Sequence, residues 1–174
     1  VSTVRVVDDD EKPMPVGVGG CTFRGNSADY SGGAMNAEGA LSVTNTLFAE
    51  NVAAIQGGAI CAGSSDPDWA GAKVELRAET VFRGNSAKNS IDDDRYWTSG
   101  GAVAVAGNGY ALEVSGRHVV FEGNRVESVT TSYGGAIAAA EGTSVDVSCA
   151  AFLALPVNAS EYTVTVSLRW LYTR

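Results

Sequence analysis

Phe48-Ala49-Glu50-Asn51, five further residues, then Gly57-Gly58-Ala59-Ile60: this stretch recurs along the chain, and its recurrence decides the fold. Upstream, Phe23-Arg24-Gly25-Asn26 precedes Gly32-Gly33-Ala34-Met35. Downstream, Phe82-Arg83-Gly84-Asn85 precedes Gly100-Gly101-Ala102-Val103, and Phe121-Glu122-Gly123-Asn124 precedes Gly134-Gly135-Ala136-Ile137. A fifth unit begins at Cys149 to Phe152, but Leu155 stands where Asn would fall, and the array ends there. Self-similarity at a period of a few tens of residues is the signature of stacked units that bury a core only against their neighbours.

The spacings separate a rigid part from an elastic one. Two residues always lie between Phe and Asn, whereas five, five, fourteen and nine lie between Asn and the glycine pair. From the fourth residue of the glycine motif to the next Phe there are twelve, twenty-one, seventeen and fourteen. Length that varies at two places only belongs to coils whose strands must stay in register while corner loops grow outward. Within a unit the pattern reads as three short strands, as in 57–62, 73–77 and 80–85, separated by glycine or polar corners. Val74, Leu76, Val81 and Phe82 supply the apolar side chains, matched by Leu41, Val43, Leu47 and Phe48 and by Leu112, Val114, Val120 and Phe121.

If the units wind as coils about 4.8 Å apart, hydrogen bonds run between coils and the phenylalanines stack in one buried column. Asn at the fourth position suits a corner because it tolerates the left-handed conformation, and identical amides at strand spacing bond one another as a ladder. Paired glycines suit a bend or a close coil-to-coil approach where a side chain would obstruct, in a left-handed or bulged conformation. The expected fold is therefore all-β, a single-stranded parallel β-helix of four to five coils with atypical capping ends.

Composition removes several function classes. The formal charge is −8 and only Lys12, Lys73 and Lys88 represent lysine, so no basic stripe exists to bind nucleic acid. No apolar run is long enough to span a membrane as a helix, and the first twenty residues do not read as a secretion signal. Cys21, Cys61 and Cys149 are too few for a disulfide scaffold and lack metal-ligand spacing; small buried hydrophobes in strands is the simpler reading, with a Cys21–Cys61 bridge left open. No metal and no cofactor is expected.

The alternating Phe-x-x-Asn and Gly-Gly-Ala-aliphatic tetrapeptides resemble the repeats of the polymorphic outer membrane protein family of chlamydiae, over about residues 21–152. Met35 departs from the usual aliphatic residue, the fifth unit lacks its Asn, and no carboxy-terminal membrane barrel follows. The resemblance implies a right-handed parallel β-helix, an autotransporter-like passenger fragment rather than a whole autotransporter, and adhesion at an extracellular, outer membrane-associated surface.

Residues 1–20, with the acidic run Asp8-Asp9-Asp10-Glu11, read as an N-terminal cap or remnant coil, 21–155 as the repeats, and 156–174 as a C-terminal capping strand. That last segment alternates strictly from Tyr162 to Tyr172, and an end cap protects a sheet edge that would otherwise pair with other chains. Candidate binding residues are loop aromatics and acids: Trp69 in the 64–72 loop, and Asp92, Asp93, Asp94, Tyr96 and Trp97 in the 86–99 loop. Three consecutive aspartates point in different directions and lack the spacing of a calcium loop. His118 is the only histidine and stands near no identifiable nucleophile, as a strand residue. No catalytic residue is assigned. The reading is a non-catalytic surface or secreted solenoid that recognises a protein or glycan ligand on another cell or surface through its loops, without nucleic acid and without spanning a membrane. The alternative is a polysaccharide lyase or hydrolase on the same scaffold.

Overall fold

The computed structural model describes residues 3–4, 14–63, 72–89, 98–107, 109–128, 132–140, 143–148 and 150–153. The described residues wind through five successive coils. The first contributes β1 (Thr3–Val4), β2 (Val16–Gly19), β3 (Thr22–Arg24) and β4 (Ser27–Ala28), and the second β5 (Met35–Ala37), β6 (Leu41–Thr44), β7 (Leu47–Ala49) and β8 (Val52–Ala53). The third supplies β9 (Ile60–Ala62), β10 (Lys73–Leu76), β11 (Val81–Arg83), β12 (Ser86–Asn89) and β13 (Thr98–Ser99). The fourth holds β14 (Val103–Val105), β15 (Ala111–Val114), β16 (Val119–Glu122), β17 (Arg125–Ser128) and β18 (Ser132–Tyr133), and the fifth β19 (Ile137–Ala139), β20 (Ser144–Val147) and β21 (Ala150–Leu153).

Equivalent strands of successive coils stack into four parallel sheets: β1-β5-β9-β14-β19, β2-β6-β10-β15-β20, β3-β7-β11-β16-β21 and β4-β8-β12-β17. A narrow fifth row is formed by β13 and β18 and continued downward by the bridges Ser99–Gln56 and Gln56–Ser31. The molecule is thus an all-β parallel solenoid. Thr3–Val4 and Val16–Gly19, within the segment read as a cap or remnant coil, pair with β5 and β6 as members of the first two sheets. Residues 156–174, read as the capping strand, lie outside the described residues.

Strands of two to four residues are not stable alone, and here the register between coils supports them. In the second sheet Leu41 aligns with Val74 and Val74 with Leu112, and Val43 with Leu76 and Leu76 with Val114; all six are buried. In the third sheet Phe23, Phe48, Phe82, Phe121 and Phe152 form one file, with ring centroids 4.9 to 5.0 Å apart and planes within 7° of parallel. Face-to-face stacking is not the arrangement free aromatic rings prefer. The strand spacing imposes it, and full burial of Phe48, Phe82 and Phe121 supplies roughly 1.5–3 kcal/mol each.

The asparagines make a continuous ladder. Asn51 Oδ1 accepts from Asn26 N (3.0 Å) and Nδ2 (2.9 Å), Asn85 Oδ1 from Asn51 N (3.0 Å) and Nδ2 (2.9 Å), and Asn124 Oδ1 from Asn85 N (3.0 Å) and Nδ2 (2.9 Å). The second hydrogen of each Nδ2 points back to the coil below: Asn51 donates to Phe23 O, Asn85 to Phe48 O and Asn124 to Phe82 O. Asn51 and Asn85 are wholly buried, which is tolerable because both ends of each amide are satisfied.

Two expectations need correction. The left-handed residue of this corner is the one before Asn, at Gly25 (φ 64°), Glu50 (57°), Gly84 (61°) and Gly123 (60°); the asparagines themselves have ordinary φ. Turning the backbone one residue early swings the amide inward, where the ladder needs it. Secondly, each unit has a fourth strand directly after Asn, so the elastic segment is partly regular: β4, β8, β12 and β17 pair along their length.

That fourth strand gives the glycines their meaning. The chain leaves the third sheet at Asn, runs out along the fourth and turns back to the glycine pair. Gly32, Gly57, Gly100 and Gly134, the first of each pair, take φ of 61° to 65°. The second lies against the fourth-sheet strand of the coil above: a Cβ on Gly33 would sit 2.6 Å from Val52 O, one on Gly58 2.6 Å from the Ser86 backbone, and one on Gly101 2.5 Å from Arg125 O. Phe-x-x-Asn and Gly-Gly-Ala are therefore the two sides of one neck, beyond which each of the first four coils bears an outward lobe.

A small defect lies in the core at Thr80, which is buried with its hydroxyl unpaired. Its lower neighbour Thr46 donates to Thr44 O at 2.8 Å. The third coil has one more residue between Leu76 and Val81 than the second has between Val43 and Leu47. Valine occupies the place above, at Val119, and is fully buried. Thr80→Val is expected to raise stability by about 1 kcal/mol, read as a higher urea midpoint at unchanged slope.

Candidate interaction surface

Both large insertions belong to the third coil: 64–71 between β9 and β10, and 90–97 between β12 and β13. Trp69, Asp92, Asp93, Asp94, Tyr96 and Trp97 all lie in them, outside the described residues. The second loop is shorter than the expected 86–99, because Ser86–Asn89 and Thr98–Ser99 are strands. The first ends at Ala72, which packs against the core.

The bases of the loops are firmly built. Asn89 and Thr98, on either side of the second insertion, are buried, and Thr98 Oγ1 lies 3.1 Å from Ser128 Oγ in the coil above. Beside the first, Tyr110 is the largest fully buried side chain among the described residues, and its hydroxyl accepts a hydrogen bond from Gly39 N at 3.1 Å. Desolvation holds its phenol above the ordinary range, outweighing that bond. Tyr110 lies in a corner without periodicity and left no signal as a core residue in the sequence.

Two exposed aromatics lie along the lobe edge at which 90–97 rejoins the fold. Tyr133, 55% exposed, aligns with Ser99, two residues after the insertion rejoins the fold. Tyr30, 62% exposed, precedes Ser31, which bridges through Gln56 to Ser99. Sequence reasoning missed both; their placement one and two residues before a glycine pair is the signal that could have found them. The lobe edge thus carries exposed tyrosines on coils below and above the aromatic and acidic insertion.

Ion pairs run over the outer faces of the second, third and fourth sheets. Outward positions of the second sheet align Ser42, Glu75, Glu113 and Asp146. Lys73 bridges Glu75 (2.8 Å) and Glu113, and Arg77 reaches Glu75 at 2.9 Å. The Lys73 ammonium holds both glutamate carboxyls below the ordinary range, helped by Arg77 at Glu75 and by Ser115 at Glu113. On the third and fourth sheets Arg24–Glu50, Arg83–Glu122 and Lys88–Glu127 link adjacent coils. Such exposed pairs contribute little each and set register more than stability.

His118 is a corner residue in the left-handed region (φ 67°), not a strand residue, and is exposed. Cys21 and Cys61 are free thiols, so the bridge left open by the sequence is not formed. Cys21 is exposed at a corner, contrary to the buried reading; burial pushes the Cys61 thiol up to about 11 despite a hydrogen bond with Ser31. Cys149 lies outside the described residues.

Five stacked coils, a phenylalanine file, an asparagine ladder and glycine necks define the class: a parallel β-solenoid of degenerate repeats bearing lobes. Residues 45–63 and 118–140, each spanning one Phe-x-x-Asn and the following Gly-Gly-Ala-Ile, match the Chlamydia polymorphic membrane protein repeat. Those two stretches are similar to that family's repeat. No curated protein and no solved structure matches it.

Proposed function

We propose that this chain is a non-catalytic, surface-associated solenoid that recognises a protein or glycan on another cell or surface through its lobe edge. The repeat family supports an outer-membrane or surface setting, and extracellular display with adhesion is the finer reading. The observation that carries it is the pair of exposed tyrosines, Tyr30 and Tyr133, on the edge at which the 90–97 insertion rejoins the fold. Large aromatics with a polar tip are suited to recognition. Acid–base hydrolysis would ask for two carboxyls pushed apart in pKa, whereas Glu75 and Glu113 are shifted in the same direction by a shared lysine.

The test is binding of the fluorescent chain to host-cell surfaces and glycan arrays. Tyr133→Ala and Trp97→Ala are each expected to weaken capture by roughly tenfold or more, with thermal melting unchanged. Equal capture by both variants would defeat the reading. So would polysaccharide depolymerisation, with or without calcium, that Asp93→Ala abolishes.

A further inference from the structure

The corner between the first and second sheets carries a strut. Gly39 and Ala72 lie two residues before the aligned Leu41 and Val74, and Ala72 and Tyr110 one residue before the aligned Lys73 and Ala111. Gly39, Ala72 and Tyr110 therefore stand in one column, in the second, third and fourth coils. Coils lie about 4.8 Å apart, so the hydrogen bond from Gly39 N to Tyr110 Oη joins the second coil to the fourth and bypasses the third. Passage needs a small residue in between, and that place holds Ala72, packed against the core. Gly39 is buried, and the phenol oxygen is the acceptor that keeps its N–H from being stranded.

The bypassed coil is the one with an insertion at this corner. Residues 64–71 stand between Gly63 and Ala72, and both flanking residues are pinned. Gly63 N donates to Ala37 O in the coil below (3.0 Å), Ala106 N in the coil above donates to Ala62 O (2.9 Å), and a Cβ on Gly63 would fall on Ala106 O. On the return side Ala111 N donates to Ala72 O at 3.0 Å, and Tyr110 O accepts from Ser144 N of the fifth coil at 2.9 Å. All of these bonds are made by residues outside 64–71.

We propose that Tyr110 is a positioning residue that makes the 63–72 corner a second display neck, at which residues 64–71 can be exchanged without cost to the solenoid. At the lobe necks an asparagine and a glycine pair hold the exit and the return. Here Gly63 holds the exit by close backbone contact, and Tyr110 holds the return by tying the coils on either side of Ala72 to each other. Residues between the two carry no part of the core, the condition under which a loop changes its recognition chemistry while the fold stays the same. The inference is independent of the lobe-edge reading.

The test replaces residues 64–71 of the full chain by a Gly-Ser segment of equal length, alone and combined with Tyr110→Ala or Tyr110→Phe. The replacement alone is expected to leave the urea midpoint and the protection of the Gly39 amide unchanged. Tyr110→Ala is expected to lower the midpoint by the same amount with either segment present, since the two changes share no partner. Tyr110→Phe keeps the ring and the fold and removes only the oxygen, so exchange at the Gly39 amide is expected to quicken at least roughly fivefold while the Gly63 and Ala111 amides stay as they were. A replacement that lowers the midpoint as far as Tyr110→Ala would overturn the proposal, because the insertion would then be holding the corner. Unchanged Gly39 exchange in Tyr110→Phe would overturn it equally, because the strut would not bear on the second coil.

Discussion

Asn85→Leu is expected to destabilise the chain by about 3–6 kcal/mol, enough to unfold much of a marginally stable solenoid. Asn85 sits in the middle of the ladder with no exposed surface. Its loss strips the acceptor from Asn51 N and from one Asn51 Nδ2 hydrogen, and removes the donor from Phe48 O. Three buried polar groups are left unsatisfied, each costing about 1–3 kcal/mol, and leucine supplies no polar atom to replace any of them. Asn26→Leu makes the same chemical change in the first coil. There Asn51 Oδ1 keeps the Asn26 backbone N–H as a partner, and the residue is already exposed, so the cost is expected within about 1 kcal/mol. Urea unfolding of both variants checks the contrast. Equal losses would mean that the ladder is ornamental and that any Phe-x-x-Asn asparagine is merely a corner residue.

The phenylalanine file and the ladder were legible in the sequence because one residue type at one spacing has one way to satisfy itself in a stacked fold. Phe23, Phe48, Phe82 and Phe121 could be aligned by eye, and their stacking follows from strand spacing. The fourth strand was not legible. Ser27–Ala28, Val52–Ala53, Ser86–Asn89 and Arg125–Ser128 have no common apolar alternation; small or β-branched residues such as Ala53 and Ala87 face inward, and backbone pairing between coils does the rest. The placement of the left-handed residue was hidden by Glu50. With glycine in three of four copies the third position looks permissive, and the fourth copy draws the eye to the invariant Asn instead. At the candidate surface the sequence singled out aromatics by their polar surroundings, which favoured Trp69 and Trp97. Tyr30 and Tyr133 gave no such cue, being set apart only by where the lobe turns, and that turn depends on the unrecognised strand.

The neck geometry explains why two motifs travel together. A lobe can lengthen, as it does between Asn85 and Gly100, only if the chain leaves and re-enters the stack at fixed points. Asn fixes the exit by bonding coils above and below, and glycine fixes the return by letting backbone touch backbone. Variation beyond the neck then costs the core nothing, which is the arrangement a recognition surface needs.

A single methyl group tests this most sharply, because it should act in opposite directions at two copies of one repeat position. At Gly58 a Cβ would fall on Gly101 O and lie 2.6 Å from the backbone of Ser86, both fixed parts of neighbouring coil. Neither can yield without disturbing the hydrogen bonds Gly58 N to Gly100 O (3.0 Å) and Ser86 N to Asn51 O (2.9 Å). Gly58→Ala is expected to cost about 3 kcal/mol or more, the range of forced overpacking in a rigid core. At Gly135 the nearest atom to a built Cβ is Asn124 O at 3.9 Å, and its φ is not in the left-handed region. Among the described residues no fourth-sheet strand belongs to the fifth coil, and none of them presses on this last neck. Gly135→Ala is therefore expected to stabilise by about 0.4–1 kcal/mol, through the reduced freedom of the unfolded chain. Chemical denaturation of the two proteins side by side reads the sign of each effect. A comparable loss at both positions would show that the second glycine serves backbone conformation rather than coil-to-coil approach.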